Sequence, residues 1–191
     1  RQVFLTSFRN DAIGGNSDTV GGVQLSGGSI TGSGGTLTST TAYDLQAGSV
    51  SAILGGTVGL NKTTAGTVTL SGANAYTGAT SITAGELALG ANNALSDSTA
   101  VTVNGATAVL NMSTFNDTVA SVSLQGAGTI NGTGALTSTA AFDLQSGTVN
   151  AVLAGTAGAN KTTAGAVTLN GQNTYTGATA VSVLPSPVRI S

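Results

Sequence analysis

From Val20 onward, apolar and polar residues alternate in short runs: VQL, SIT, TLTST, YDLQ, SVSAIL, TVTL, TSIT, ELAL, AVTV and AVLNM, each closed by Gly, Asn or Ser. A period of two bounded by turn residues predicts β-strands. Glycine every few residues and the abundance of β-branched Thr and Val work against helix. The reading is all-β.

The runs recur. Asn61 to Thr80 returns as Asn160 to Thr179 with 16 of 20 positions identical at an offset of 99, and 20–80 matches 119–179 at 36 of 61 positions. Within that long repeat lies a shorter one. Leu70, Leu89, Val109, Ile130, Val149 and Leu169 follow one another at 19, 20, 21, 19 and 20 residues. A second line runs through Ile82, Val101, Val122, Phe142 and Val181. A chain that returns to the same face every ~20 residues predicts a parallel β-solenoid. Each 99-residue copy is then five turns, the chain holds roughly nine, and the first line is the expected inward core line. The division expected is 1–19 as an atypical cap or subunit-docking segment and 20–183 as the coil, with copies at 20–118 and 119–183. An end segment at 184–191 carries Pro185 and Pro187, which have no N–H for a ladder.

Composition narrows the classes of function. Charged residues are 6 %, the net charge is −2 and the mean hydropathy is +0.28. Disordered chains combine low hydropathy with high net charge, so this chain is expected to fold. Without Cys or His, disulfides, imidazole or thiolate metal sites and His-based relays are excluded, and no cofactor is expected. The basic residues Arg1, Arg9, Lys62, Lys161 and Arg189 are scattered, which argues against nucleic-acid binding. No apolar run approaches the ~18 residues of a membrane helix, and no membrane insertion of this segment is expected. Starting on Arg1 with no apolar leader, the chain reads as a processed piece of something longer.

The stretch GTVTLSGANAYTGATSITAGELALG (66–90) resembles the autotransporter-associated β-strand repeat, also called the passenger-associated transport repeat. The residues that carry the likeness are Leu70, Gly72, Asn74, Tyr76, Thr77, Gly78, Thr80, Gly85 and Leu87. The second copy keeps Leu169, Gly171, Asn173, Tyr175, Thr176, Gly177 and Thr179, then turns to VLPSPV where A-G-x-L should follow. The resemblance implies a right-handed β-helix exported by a Gram-negative or related bacterium. It would lie at the cell surface or outside the cell, as stalk or spacer and sometimes as adhesin. The translocating outer-membrane barrel that such proteins carry is not among these 191 residues.

Several sites follow as expectations. Asp44 with Lys62, repeated as Asp143 with Lys161, is spaced near one turn and reads as an exposed salt bridge on neighbouring rungs. Tyr43, Tyr76, Phe142 and Tyr175 read as packed aromatics, with sugar stacking as the lesser use. The carboxylates Asp11, Asp18, Asp44, Glu86, Asp97, Asp117 and Asp143 show no paired catalytic spacing, so a polysaccharide lyase or hydrolase is the least favoured class. The apolar residues Val3, Phe4, Leu5, Phe8, Val188 and Ile190 in the two odd termini are candidate subunit contacts. End-to-end self-association into a fibre or matrix is the expected partnership, and surface glycans or a neighbouring cell are the alternative.

Overall fold

The computed structural model describes residues 10–182. All of the regular structure among them is strand, paired in parallel throughout. Asn10–Gly14, Ser29–Gly32, Gly48–Val50, Thr67–Leu70, Gly85–Leu89, Ala108–Asn111, Gly128–Asn131, Gly147–Val149 and Val167–Leu169 form one nine-stranded sheet in that order. Gln24–Leu25, Tyr43–Leu45, Leu60–Lys62, Thr80–Ile82, Ala100–Asn104, Ser121–Gln125, Phe142–Leu144, Ala159–Lys161 and Thr179–Val181 form a second. The chain is a β-solenoid whose nine rungs make about eight turns of about 20 residues. At ~4.8 Å per step, eight steps give a rod about 38 Å long.

A third side is discontinuous. Asp18–Val20, Thr36–Ser39 and Ile53–Gly55 form one three-stranded sheet there, and Asp117–Val119, Ala135–Ser138 and Val152–Ala154 form another. Residues 10–19 therefore supply strands to two of the solenoid's ladders, Asn10 facing Ser29 and Asp18 facing Leu37. Residues 1–9 and 183–191 lie outside the described residues, and with them the candidate contacts Val3, Phe4, Leu5, Phe8, Val188 and Ile190.

Alternation sends every second side chain into the coil, where successive turns stack them in columns. In the first sheet Val50, Leu70 and Leu89 are in register. Beside them run Val68, Leu87, Leu110, Ile130, Val149 and Leu169. The expected core line thus crosses from one column to the next between Leu89 and Ile130. Leu70, Leu89, Ile130 and Val149 are buried, but Val109 lies half-exposed on the outer side, opposite Glu86, and Leu110 is the inward residue. The reason is the length of one turn. Leu87 pairs with Leu110, 23 residues on, so a step of 20 from Leu89 lands on the wrong face of the strand. In the second sheet Ile82 and Val101 both point inward but sit two residues apart in register, in neighbouring columns of the same face. Ile82 pairs with Val103, and Val101 with Thr80 and Val122.

Candidate functional site

The repeat motif is where the sequence is most alike between copies, and each of its residues has a defined task. On the third side, the turn through 71–79 has no strand. Backbone bonds from Ala75 N to Leu54 O and from Thr77 N to Gly56 O still tie it to the turn below, and Asn74 adds a side-chain bridge: its Oδ1 accepts from Leu54 N at 2.7 Å, and its Nδ2 donates to Ala94 O at 2.6 Å. One side-chain amide thereby does the work of a peptide group between two rungs. Asn173 Oδ1 accepts from Leu153 N at 2.8 Å in the same manner.

Tyr76 is fully buried, and its ring lies 6.2 Å from that of Tyr43, tilted by 53°. Its hydroxyl opens a chain of three. Tyr76 Oη is 2.7 Å from Thr80 Oγ1, Thr80 Oγ1 is 3.0 Å from Thr99 Oγ1, and Thr99 donates to Gly78 O at 2.8 Å. Each hydroxyl has one proton, and that of Thr99 goes to the carbonyl. Thr80 therefore donates to Thr99, and Tyr76 to Thr80. Gly78 is required by close approach, because a Cβ there would overlap Gly59 N and the Val58 carbonyl of the neighbouring turn. In the second copy Phe142 and Tyr175 are 6.1 Å apart at 51°, Tyr175 Oη is 2.8 Å from Thr179 Oγ1, and Gly177 meets Gly158. With Tyr43, Tyr76 and Phe142 inside the coil, none of the three is available to stack on a sugar.

The Asp44–Lys62 expectation is corrected. Asp44 faces outward and accepts from Gln24 Nε2 at 2.7 Å and Gln46 Nε2 at 2.9 Å. Lys62 points inward, fully buried, in register with Ile82. Its ammonium donates to the Thr64 carbonyl and to Ala84 O at 3.1 Å. Burial lowers the pKa of the amine, with Asp44 opposing the shift. Strict counting along Leu60-Asn61-Lys62 places Lys62 on the inner face, and only the habit of reading lysine as solvated hides it.

Asp117 was not singled out by sequence. It is 2 % exposed, its Oδ2 accepts from Leu95 N at 2.8 Å, and its Oδ1 has no hydrogen-bond partner. Burial pushes its carboxyl up to about 6, helped slightly by Asp97 and opposed by the backbone N–H groups of Leu95, Thr118 and Ala94. Among the described residues no three His, Cys, Asp or Glu side chains gather as a metal site would require.

The last described turn of the coil is less covered than its counterpart in the first copy. Leu169 is 38 % and Val181 68 % exposed, and Tyr175 is half-buried. Their counterparts Leu70, Ile82 and Tyr76 are fully buried.

Stacked inner columns, amide and hydroxyl bridges between turns and glycines at the closest approaches define a parallel β-solenoid repeat protein. Its motif residues serve the coil itself. The passenger-associated-transport-repeat family model matches residues 60–89 and 160–182, the two motif turns just described. A β-solenoid that carries this repeat twice fits an autotransporter passenger repeat protein. No curated protein and no solved structure shows significant similarity to the chain.

Proposed function

We propose that the chain is a non-enzymatic structural segment of a passenger at the cell surface or outside the cell, working as a rigid stalk or spacer. The observation that carries this reading is the use made of the motif. Asn74, Tyr76, Thr80 and Gly78, all kept in the second copy, serve the coil: Asn74 and Thr80 bond to neighbouring turns, Tyr76 packs against Tyr43 and bonds Thr80, and Gly78 lets two turns approach. A spacer is defined by length, and its length is set by the number of turns.

Deleting one 99-residue copy removes five steps and shortens the rod by about 24 Å. In a passenger carrying such a deletion, whatever lies beyond the rod should stand closer to the surface and keep its own activity. An adhesin reading draws on the outward column Asn61, Ser81, Thr102, Ser123 and Asp143, a stripe of amide, hydroxyl and carboxylate groups in register. Saturable binding of the purified chain to a glycan array or to cells, lost on changing that stripe, would replace the spacer reading with the adhesin one.

A further inference from the structure

Between its two three-stranded sheets the third side is closed by two turns without a strand, 71–79 and 90–99. The flanks of the second are fixed, since Gly85–Leu89 and Ala100–Asn104 each pair on both edges within a nine-stranded sheet. The segment 90–99 itself is pinned at a few points. Asn74 Nδ2 donates to Ala94 O and Thr99 Oγ1 to Gly78 O on the turn below. On the turn above, Asn93 N donates to Asn116 O at 3.0 Å, Asn116 N to Asn92 Oδ1 at 2.8 Å, and Leu95 N to Asp117 Oδ2 at 2.8 Å. Ala94 and Leu95 are buried, while Asn92, Asn93, Asp97 and Ser98 face solvent.

Of these partners Asp117 alone is ionisable. It lies in the middle of the rod, with the segment 90–99 below it and Ala135–Ser138 paired above, and its Oδ1 has no hydrogen-bond partner. The titratable groups that act on it are Asp97, from the segment itself, and the Tyr76 phenol, from the turn below. Asp97 opposes a charge on Asp117, and Tyr76, its own pKa raised by burial, is neutral. Ala135–Ser138 carries no ionisable side chain. The N–H groups of Leu95, Thr118 and Ala94 favour the carboxylate, but by less than burial disfavours it. An ionised Asp117 is a buried charge with no cation among the described groups that act on it. Lifting the segment breaks the Leu95 bond and lets water reach that charge, at the cost of exposing Ala94 and Leu95.

We propose that the segment 90–99 is a strap controlled by one proton: it is held shut on the third side while Asp117 is neutral, and lifts more readily once Asp117 is ionised. The lift is local. The ends of the strap stay in the two continuous ladders, and what it gives up is the short set of bonds to Asn74, Gly78, Asn116 and Asp117. The sign follows from the carboxyl of Asp117, raised from 3.8 to about 6. The shut strap holds the proton more tightly than the lifted one, so its closure has full strength below about pH 4 and is lost as pH rises through about 6. A shift of about two pH units sets the ceiling at about 100-fold in the opening equilibrium. Mildly acidic surroundings tighten this side of the rod and neutral ones loosen it. The strap does not depend on the spacer reading above.

Hydrogen exchange of the full chain, read on peptides by mass spectrometry and corrected for the intrinsic pH dependence of exchange, tests the proposal. The peptide holding Leu95 should exchange faster than peptides from the ladder strands Thr67–Leu70 and Gly128–Asn131, and low urea should not change its rate, as a local opening requires. Between pH 4 and 7.5 its protection should fall by roughly 50-fold. In Asp117→Asn the same peptide should show protection that is flat with pH. A purely structural role for Asp117 would instead leave the wild-type profile flat as well, and that result overturns the proposal without any variant that has to fold. Two other results overturn it. One is a Leu95 peptide as slow and as urea-dependent as the ladder strands, which would mean that it opens only with the whole rod. The other is a pH dependence that persists in Asp117→Asn.

Discussion

Asp117 makes the stability of the coil depend on pH in a direction opposite to that of an ordinary salt-bridged carboxylate. Its side chain lies on the third side, nearly inaccessible, with one oxygen on Leu95 N and the other without a partner. Burial raises its carboxyl from 3.8 to about 6. The folded chain therefore holds this proton more tightly than the unfolded chain does. Linkage then requires that the protonated form's full stability is present below the unfolded value near 4 and is lost as pH rises through about 6. A shift of about two pH units at 1.36 kcal/mol each gives a loss of roughly 2–3 kcal/mol between pH 4 and 7. The substitution that isolates the effect is Asp117→Asn. An amide already serves in the equivalent place two turns earlier, where Asn74 accepts from Leu54 N. Urea unfolding at fixed ionic strength, repeated in half-unit steps from pH 3.5 to 7.5, measures the loss directly. The wild-type chain should weaken across that range, and the difference between it and Asp117→Asn should change by about 2–3 kcal/mol. If that difference is constant with pH, the carboxyl is not held as described and the reasoning fails.

Three further outcomes follow from the packing. Leu89→Ala should cost about 2–5 kcal/mol because Leu89 is buried over Leu70, while Val109→Ala on the outer side of the next rung should cost under about 1 kcal/mol; equal losses in denaturant melts would contradict the column assignment. Lys62→Ala removes a fully buried stem and the donor to Ala84 O and should cost roughly 2–4 kcal/mol, whereas Lys161→Ala, half-buried in the last turn, should cost less than half as much by the same melts. Gly78→Ala forces a methyl into the Gly59 backbone and should lower the thermal midpoint by several degrees or prevent folding, while Gly15→Ala, with open space around it, should leave the midpoint nearly unchanged.

Much of the architecture was legible because a solenoid writes itself repeatedly. Alternating runs such as TVTL and ELAL mark strands, and the near-constant spacing of Leu70 and Leu89 marks the turn. What spacing alone does not carry is the face of the strand. An extra three residues between Leu87 and Leu110 move the inward position without disturbing the hydrophobic look of AVLNM, so Val109 and Leu110 are indistinguishable until the ladder is seen. Lys62 was obscured for a different reason. Its place in the alternation is inward, but its chemistry argues for solvent, and only the carbonyls of Thr64 and Ala84 resolve the conflict. Asp117 needs a neighbour 22 residues away, Leu95, to become a buried carboxylate, whereas Asp18 at the same place in the first copy is exposed. No local pattern separates those two.

The amide of Asn74 has a consequence for how such rods diversify. Two sides of the coil run as unbroken ladders through all nine rungs, but the third side of the turn through 71–79 is joined to the turn above by side chains, Asn74 Nδ2 to Ala94 O and Thr99 Oγ1 to Gly78 O. A connection that asks so little of the backbone leaves the chain between its anchor points free to vary in length. The loop through Gly90 to Thr99 already takes up two of the additional residues of the longest turn, with Asn93 at φ 53°. Foreign segments grafted at Asn92–Asn93 would give up the two bonds these residues make to Asn116 and hang from the shaft like flags from a mast, while the two ladders that hold it upright stay paired.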